Sequence, residues 1–374
     1  VRTLEKIVVK VGSNLLVENR ALSKRFIIEL CGQISGLFRE GFRVALVTSG
    51  ARAAALALLG RPEGNRLEKQ ALCAIGQVQV MKTYEAAFEF HGLKVAQLLV
   101  TRDDFSNRKR FLNLRNTLLG LQSMDVIPII NENDTVSTEE IQLGDNDVLS
   151  AMFAMGWGAD KLVLMTSAEG VYDSAGKVIP DFQGHEELLH MKKTSSGTGG
   201  IFTKVLAARI ASNTGVDVCI CSGKRMENLP LFSRQGKTTG TVFHARQNVP
   251  GKRAWLAYLS KEKGCLWINE GARLALLKRK SLLPVGVEKV EGRFSRGDTV
   301  RIVSQPGGKP VGRGIVNYRW DHAAKIAGKT SAEAERILED FAYEELVHAD
   351  NLVLLQKDIL TGFDVPARDS DRKT

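Results

Sequence analysis

Up to about residue 245 the chain alternates between two hydrophobic periods. Short apolar runs that predict buried strands occur at Lys6 to Val11, Arg43 to Val47, Lys94 to Val100, Val126 to Ile130, Lys161 to Met165 and Val216 to Cys221. Between them, apolar residues recur at spacings of three and four. This predicts helices over 22–38, 51–59, 67–90, 111–121, 147–155 and 201–214. Strands alternating with helices predict an α/β fold with a mainly parallel sheet sandwiched by helices. At Pro250-Gly251-Lys252 the rhythm breaks. Beyond it the apolar segments shorten and turn signals crowd in at Asn269-Glu270-Gly271, Arg296-Gly297-Asp298 and Pro306-Gly307-Gly308, so a small, mainly β domain is expected. The division drawn from this is 1–249 and 250–374. The chain's 374 residues also exceed the length at which single cores stop growing.

Composition narrows the class. Hydrophobic content of 44% and charged content of 25% are those of an ordinary globular protein. No apolar run approaches the roughly 20 residues that span a bilayer, so no membrane role is expected. The start, Val1-Arg2-Thr3-Leu4-Glu5-Lys6, lacks a secretory apolar core. The five cysteines are scattered and odd in number, which argues against a disulfide framework. Cys219 and Cys221 alternate within a strand pattern and read as packed thiols, not metal ligands. A cytoplasmic location is the expectation. Charge is uneven: residues 252–330 hold 17 Lys or Arg against 6 Asp or Glu. Charge alone leaves two readings of that module open, nucleic-acid binding and a solvated basic face.

The densest candidate chemistry is Ile130-Asn131-Glu132-Asn133-Asp134, followed by Gly144-Asp145-Asn146-Asp147. The first follows a predicted strand and the second opens a predicted helix. Four carboxylates and three amides are thereby expected on two neighbouring loops, where α/β sheets hold ligands. Turn and N-cap duty is the plain alternative, but capping needs one such residue per helix, not seven. In Val8-Val9-Lys10-Val11-Gly12-Ser13 a lysine interrupts an apolar strand, which is costly unless the lysine is paired or faces solvent at a sheet edge. Gly12 and Ser13 are expected to offer backbone N–H groups to an oxyanion. Thr48-Ser49-Gly50-Ala51 is a small-residue turn entering a helix, suited to a carboxylate or phosphate or simply to a turn. Gly197-Thr198-Gly199-Gly200-Ile201-Phe202-Thr203-Lys204 reads as a phosphate-wrapping loop with a lysine one turn into the helix, or as a flexible linker. No Walker A pattern and no dinucleotide fingerprint is present.

Together these segments resemble the amino acid kinase family, and within it the glutamate 5-kinases. The resemblance is carried by Val9 to Ser13, Val47 to Ala51, Ile130 to Asp134, Gly144 to Asp147 with Leu149-Ser150-Ala151, and Gly197 to Gly200. Thr101-Arg102-Asp103 and Arg110-Phe111-Leu112-Asn113 add to it. Asn269-Glu270-Gly271-Ala272, Ser281 to Gly286 and Phe294 to Asp298 resemble a PUA module. The resemblance implies an ATP-dependent kinase that phosphorylates the γ-carboxylate of L-glutamate, the first step of proline biosynthesis. It implies Lys10 and Lys204 on the transferring phosphoryl group with Asp147 orienting them, and Ser49, Asp134 and Asn146 on glutamate. The nucleotide would lie against Lys10, Thr166, Ser167, Thr198, Gly199, Gly200, Ile201, Phe202, Thr203 and Lys204. Mg²⁺ is expected with ATP, its protein ligands unassigned. Proline feedback, a homo-oligomer and glutamyl-phosphate reductase as a partner are implied as well. Two alternatives stay open: another acylphosphate or phosphate kinase of the same fold, and an RNA-binding protein with a degenerate kinase domain.

The chemistry suits those residue types. A γ-carboxylate is already ionised at neutral pH, so the task is bringing one anion to another, which calls for lysines, backbone N–H groups and a cation. An acidic side chain near glutamate suits the α-ammonium group, and Asp134 is assigned to it. The chain departs from the family pattern in having Ser167 where aspartate is usual, Arg52 and Ala55 after the Thr-Ser-Gly-Ala turn, and Ile201 where methionine is usual.

Overall fold

The computed structural model describes residues 4–18, 20–60, 66–137, 145–183, 199–246, 255–305, 307–338 and 341–355. Gly144, Ser195 to Thr198, Pro250 to Lys252 and Pro306, all singled out in the sequence, lie outside the described residues, as does the position between 249 and 250. The chain divides into two compact units, Val1–Gly251 and Lys252–Thr374.

The first unit is built on a seven-stranded sheet. In chain order its strands are β1 (Lys6–Val11), β4 (Arg43–Val47), β5 (Lys94–Val100), β6 (Val126–Glu132), β7 (Lys161–Thr166), β8 (Asp217–Ser222) and β9 (Thr241–Phe243). They lie in the order β5-β6-β4-β1-β7-β8-β9, all parallel except β9, which runs antiparallel to β8. A two-stranded hairpin, β2 (Val17–Glu18) and β3 (Ala21–Leu22), stands apart after the short helix α1 (Ser13–Leu16).

Near-continuous apolar strands such as Ile7-Val8-Val9 suit a sheet covered on both faces. Helices α2 (Lys24–Arg39), α4 (Arg66–Glu89) and α9 (Asn228–Gln235) cover one face. The core there contains Ile7, Val9, Val11, Leu46, Ile129, Val163, Cys219 and Cys221 against Ile27, Leu30, Ile34, Tyr84 and Phe88. Helices α6 (Arg108–Ser123), α7 (Asp145–Trp157) and α8 (Gly199–Ser212) cover the other face. The short helices α3 (Ala51–Leu59) and α5 (Arg102–Ser106) follow β4 and β5. The packed-thiol reading of Cys219 and Cys221 holds: both are fully buried among apolar residues.

The second unit has its own core around Leu266, Ile302, Phe294, Ile326 and Val347. Its sheet runs β11-β10-β12-β13-β14, with strands β10 (Glu262–Ile268), β11 (Val287–Gly292), β12 (Thr299–Ser304), β13 (Lys309–Ile315) and β14 (Leu352–Leu354). β10 and β12 are parallel and the remaining pairs antiparallel. Among its described residues three α-helices join it: α10 (Glu270–Leu277), α11 (Trp320–Ile326) and α12 (Ser331–Ile337). The β-rich expectation is met, and the helices are an addition to it. Two of them are capped by side chains: Asn269 accepts from Ala272 N–H, and Thr330 with Glu333 forms a capping box.

Candidate active site

The site segments meet because the strands that carry them are parallel and end at one edge of the sheet. Lys10 sits one residue before the end of β1, in register with Val47 on one side and Leu164 on the other. Its neighbours Val9 and Val11 point into the core under α2 and α4, so the strand's period of two turns Lys10 towards α7. The edge-lysine alternative fails on this geometry. β1 is an interior strand, and Lys10 is 5% exposed.

Asp147 makes that burial tolerable. One carboxylate oxygen accepts from Lys10 Nζ. The other accepts from Lys204 Nζ and from Thr203 Oγ1, each at 3.0 Å. Lys204 Nζ also donates to the Gly200 carbonyl at 3.1 Å. Burial opposes ionisation of Asp147, but the two lysines outweigh it and hold the carboxyl below its usual 3.8. Burial lowers the Lys10 ammonium below its usual 10.5, Asp147 offsets this only in part, and Lys204 adds to the lowering. One carboxylate shared by two ammonium groups leaves a surplus of positive charge where the strands end. Such a surplus suits an anionic group in transfer.

The second half of the site is built from amides. Gly50, at φ +91°, caps α3 in a backbone conformation that favours glycine and turns the chain out of β4. Ser49 Oγ donates to the Val11 carbonyl at 3.2 Å, tying this turn to β1. Asn146 Nδ2 donates to the Thr48 carbonyl at 2.8 Å and to Asn131 Oδ1 at 3.1 Å. Asn146 Oδ1 is buried without a hydrogen-bond partner among the described residues. Asp134 lies in the turn after β6, against Cys73. Burial raises its carboxyl above the usual 3.8, opposed by the Cys73 thiol and Lys69. Burial and the neighbouring Asp134 in turn push the Cys73 thiol up to about 12. Asp134 lines a cavity of about 420 Å³ together with Gln77, Glu132 and Asn133.

The structure thus brings Lys10, Asp147 and Lys204 into direct contact, and joins Asn146 to the Thr48 turn and to Asn131. Two expectations need correction. Asn146 stands in the first turn of α7 and not on a loop, that helix starting two residues before the predicted 147, while Asn131 and Glu132 still belong to β6. The Gly12 N–H donates to the Met165 carbonyl at 3.0 Å, so it is spent on the sheet and is no oxyanion donor. Thr203 is 6% exposed, and its hydroxyl lies 3.0 Å from an Asp147 carboxylate oxygen and 3.1 Å from the Gly200 carbonyl. Thr166 ends β7 half-buried, Ser167 is exposed beside it, and Gly199 to Phe202 form the first turn of α8. Thr198 lies outside the described residues.

Sequence reasoning missed Gln77, whose Oε1 accepts from Asn131 Nδ2 at 2.8 Å. One signal pointed there. Gly76 interrupts a helical pattern, and a Cβ at that position would lie 1.7 Å from the Ala51 carbonyl oxygen. Only glycine lets α4 press against the start of α3.

Among the described residues no group of three or more His, Cys, Asp or Glu could hold a metal ion, and no helix is long and apolar enough to cross a membrane. The sequence matches the amino acid kinase family over residues 5–222 and the PUA domain over residues 264–338. It is 50% identical over 356 residues to the glutamate 5-kinase of Kosmotoga olearia, covering 93% of this chain and 99% of that one. It is 52% identical over 351 residues to the glutamate 5-kinase of Thermotoga maritima, covering 93% and 98%. With the glutamate 5-kinase of Thermus thermophilus it shares 42% over 364 residues, covering 94% and 98%. A match over more than half the chain, joined to relatives of this similarity along nearly its whole length, settles the family: the chain belongs to the amino acid kinase family, with a PUA domain following the kinase domain.

Proposed function

We propose that the protein transfers the γ-phosphate of ATP to the γ-carboxylate of L-glutamate, giving L-glutamyl 5-phosphate and ADP, the first step towards proline. The observation that carries the phosphotransfer is the buried Asp147 carboxylate shared by Lys10 and Lys204. Full-length relatives that are glutamate 5-kinases support the choice of acceptor. In the reaction a carboxylate oxygen forms a bond to the γ-phosphorus as the bond from that phosphorus to the ADP oxygen breaks. No proton has to be removed, because the carboxylate is ionised at neutral pH. Catalysis is therefore positioning and charge stabilisation.

In this reading Lys10 and Lys204 neutralise charge on the phosphoryl group in flight, and Asp147 holds both ammonium groups in place. Thr203 acts through its hydrogen bond to Asp147. Ser49, Asp134 and Asn146 hold glutamate, with Asp134 and the open Asn146 Oδ1 taking the α-ammonium group. The nucleotide lies along Thr166, Ser167 and the opening of α8. Asp147 has both oxygens engaged, so Mg²⁺ fits as part of the nucleotide complex and not in a protein cage. It would supply charge neutralisation on the phosphate oxygens. Glutamyl phosphate is a reactive acyl phosphate, which accords with a reductase taking it up directly. Five unpaired thiols accord with a cytoplasmic location. Proline feedback and a homo-oligomer belong to the same reading. The intact Lys10–Asp147–Lys204 cluster speaks against a degenerate kinase domain.

The test is hydroxamate trapping with ATP and four acceptors: L-glutamate, aspartate, N-acetylglutamate and UMP, with ADP release as the readout for UMP. The reading predicts trapped product with L-glutamate. Equal or greater turnover of any other acceptor would overturn the assignment.

A further inference from the structure

Gln77 lies inside α4, far in sequence from every motif used above, yet it ends a chain of three amides, Gln77 and Asn131 buried and Asn146 half-buried. Gln77 Oε1 accepts from Asn131 Nδ2, and Asn131 Oδ1 accepts from Asn146 Nδ2. We infer that Gln77 is a positioning residue for the acceptor amino acid: through Asn131 it fixes the Asn146 amide so that its oxygen, and not its nitrogen, faces the substrate's α-ammonium group. This rests on the reading of Asn146 as a glutamate-binding residue.

The direction of the chain follows from two backbone groups that cannot change roles. The Glu132 N–H donates to Asn131 Oδ1 at 2.9 Å, so that atom must be the oxygen. The Thr48 carbonyl accepts from Asn146 at 2.8 Å, so that atom must be the nitrogen. With both anchors set, Asn131 presents its nitrogen to Gln77 and Asn146 is left with an oxygen to offer. If the Asn131 amide turned over, its nitrogen would meet two donors, the Glu132 N–H and Asn146 Nδ2. Gln77 supplies the acceptor that opposes this turn.

The two ends of the chain are open in opposite senses. Among the described residues, Asn146 Oδ1 is a buried acceptor without a partner, and Gln77 Nε2 is a buried donor without one. A buried polar atom left so is costly, so Asn146 gains from any ligand that brings an N–H to it. The close contact that Gly76 permits between α4 and the Ala51 carbonyl holds Gln77 beside the Thr48 turn.

The test is a double-mutant cycle in the full chain with Gln77→Met and Asn146→Ala. Methionine keeps the length and apolar bulk of Gln77 but has no oxygen for Asn131. Gln77→Leu serves the same cycle if methionine lowers the melting temperature. The KM for L-glutamate should rise about tenfold in Gln77→Met, the scale of one buried hydrogen bond, while kcat and the KM for ATP stay within about twofold. In an Asn146→Ala background the Gln77 substitution should add almost nothing, because it acts through the amide already removed. A merely structural role would move both substrates, or would add fully to Asn146→Ala. An unmoved glutamate KM, a matching change for ATP, or full additivity overturns the inference. Failure of the wild type to phosphorylate glutamate would instead overturn the functional reading beneath it.

Discussion

Sharing one carboxylate between two lysines has consequences for pH at the level of single residues. The free enzyme's Lys10 is held below 10.5 because burial disfavours its charged form. The alkaline limb of kcat/KM should therefore fall below 10.5, and a pH–rate profile checks it. Asp134 is raised above 3.8 by burial, so it should add an acid limb above 3.8 to kcat/KM for glutamate, and Asp134→Asn should leave only the limb of the substrate's own γ-carboxylate. Asp147 has the opposite sign. Its carboxyl is depressed in the folded state, so the stability it contributes is present above its unfolded value and is lost as pH falls through the lowered one. Asp147→Asn leaves two ammonium groups without a counter-charge and should cost about 3–5 kcal/mol of stability, read by denaturant unfolding at neutral pH. Asp134→Ala or Asn146→Ala should raise the KM for glutamate with that for ATP nearly unmoved, and the reverse pattern would reassign both. Lys10 was legible in the sequence because a charge inside an apolar run demands a reason, and Asp147 because carboxylates and amides crowd at the start of a predicted helix. Gln77 was not. An amide in a helix is unremarkable until the fold places it against Asn131.

Among the elements, the interior parallel strands were legible from runs such as Ile7-Val8-Val9 and Leu162-Val163-Leu164, because burial on both faces leaves no polar alternation. The short ones were not. β9 has three residues and each strand of the β2–β3 hairpin has two, too few to show a period. The helices of the second unit escaped for the same reason, at seven or eight residues each. Asn146 was placed before the predicted helix start at 147 because polar residues hide a helix start, and α7 in fact begins at Asp145. Its first turn adds the favourable end of a helix dipole to the site. The α3–α4 contact yields a prediction at this scale. Gly76→Ala puts a methyl group 1.7 Å from the Ala51 carbonyl, so α4 must shift, with a stability loss of about 1–3 kcal/mol and a raised glutamate KM. Ser167, exposed at the end of β7, offers a contrasting case. Ser167→Asp should alter nucleotide kinetics and leave glutamate kinetics nearly untouched.

For the whole molecule, the two units have separate cores, and every proposed site residue falls in the first. A chain ended after Val249 should therefore fold and phosphorylate glutamate. A soluble, monodisperse but inactive truncation would show that the second unit helps to build the site. The isolated 252–374 segment carries the basic stretch 252–330, so any RNA binding should be weak and fall steeply with salt. The account stands most directly on the two lysines, through kcat and glutamate KM for Lys10→Ala and Lys204→Ala in the full chain. The expected result is a loss of about 10²-fold or more in kcat with the glutamate KM within about threefold of wild type. Near-wild-type kcat in either variant would contradict it.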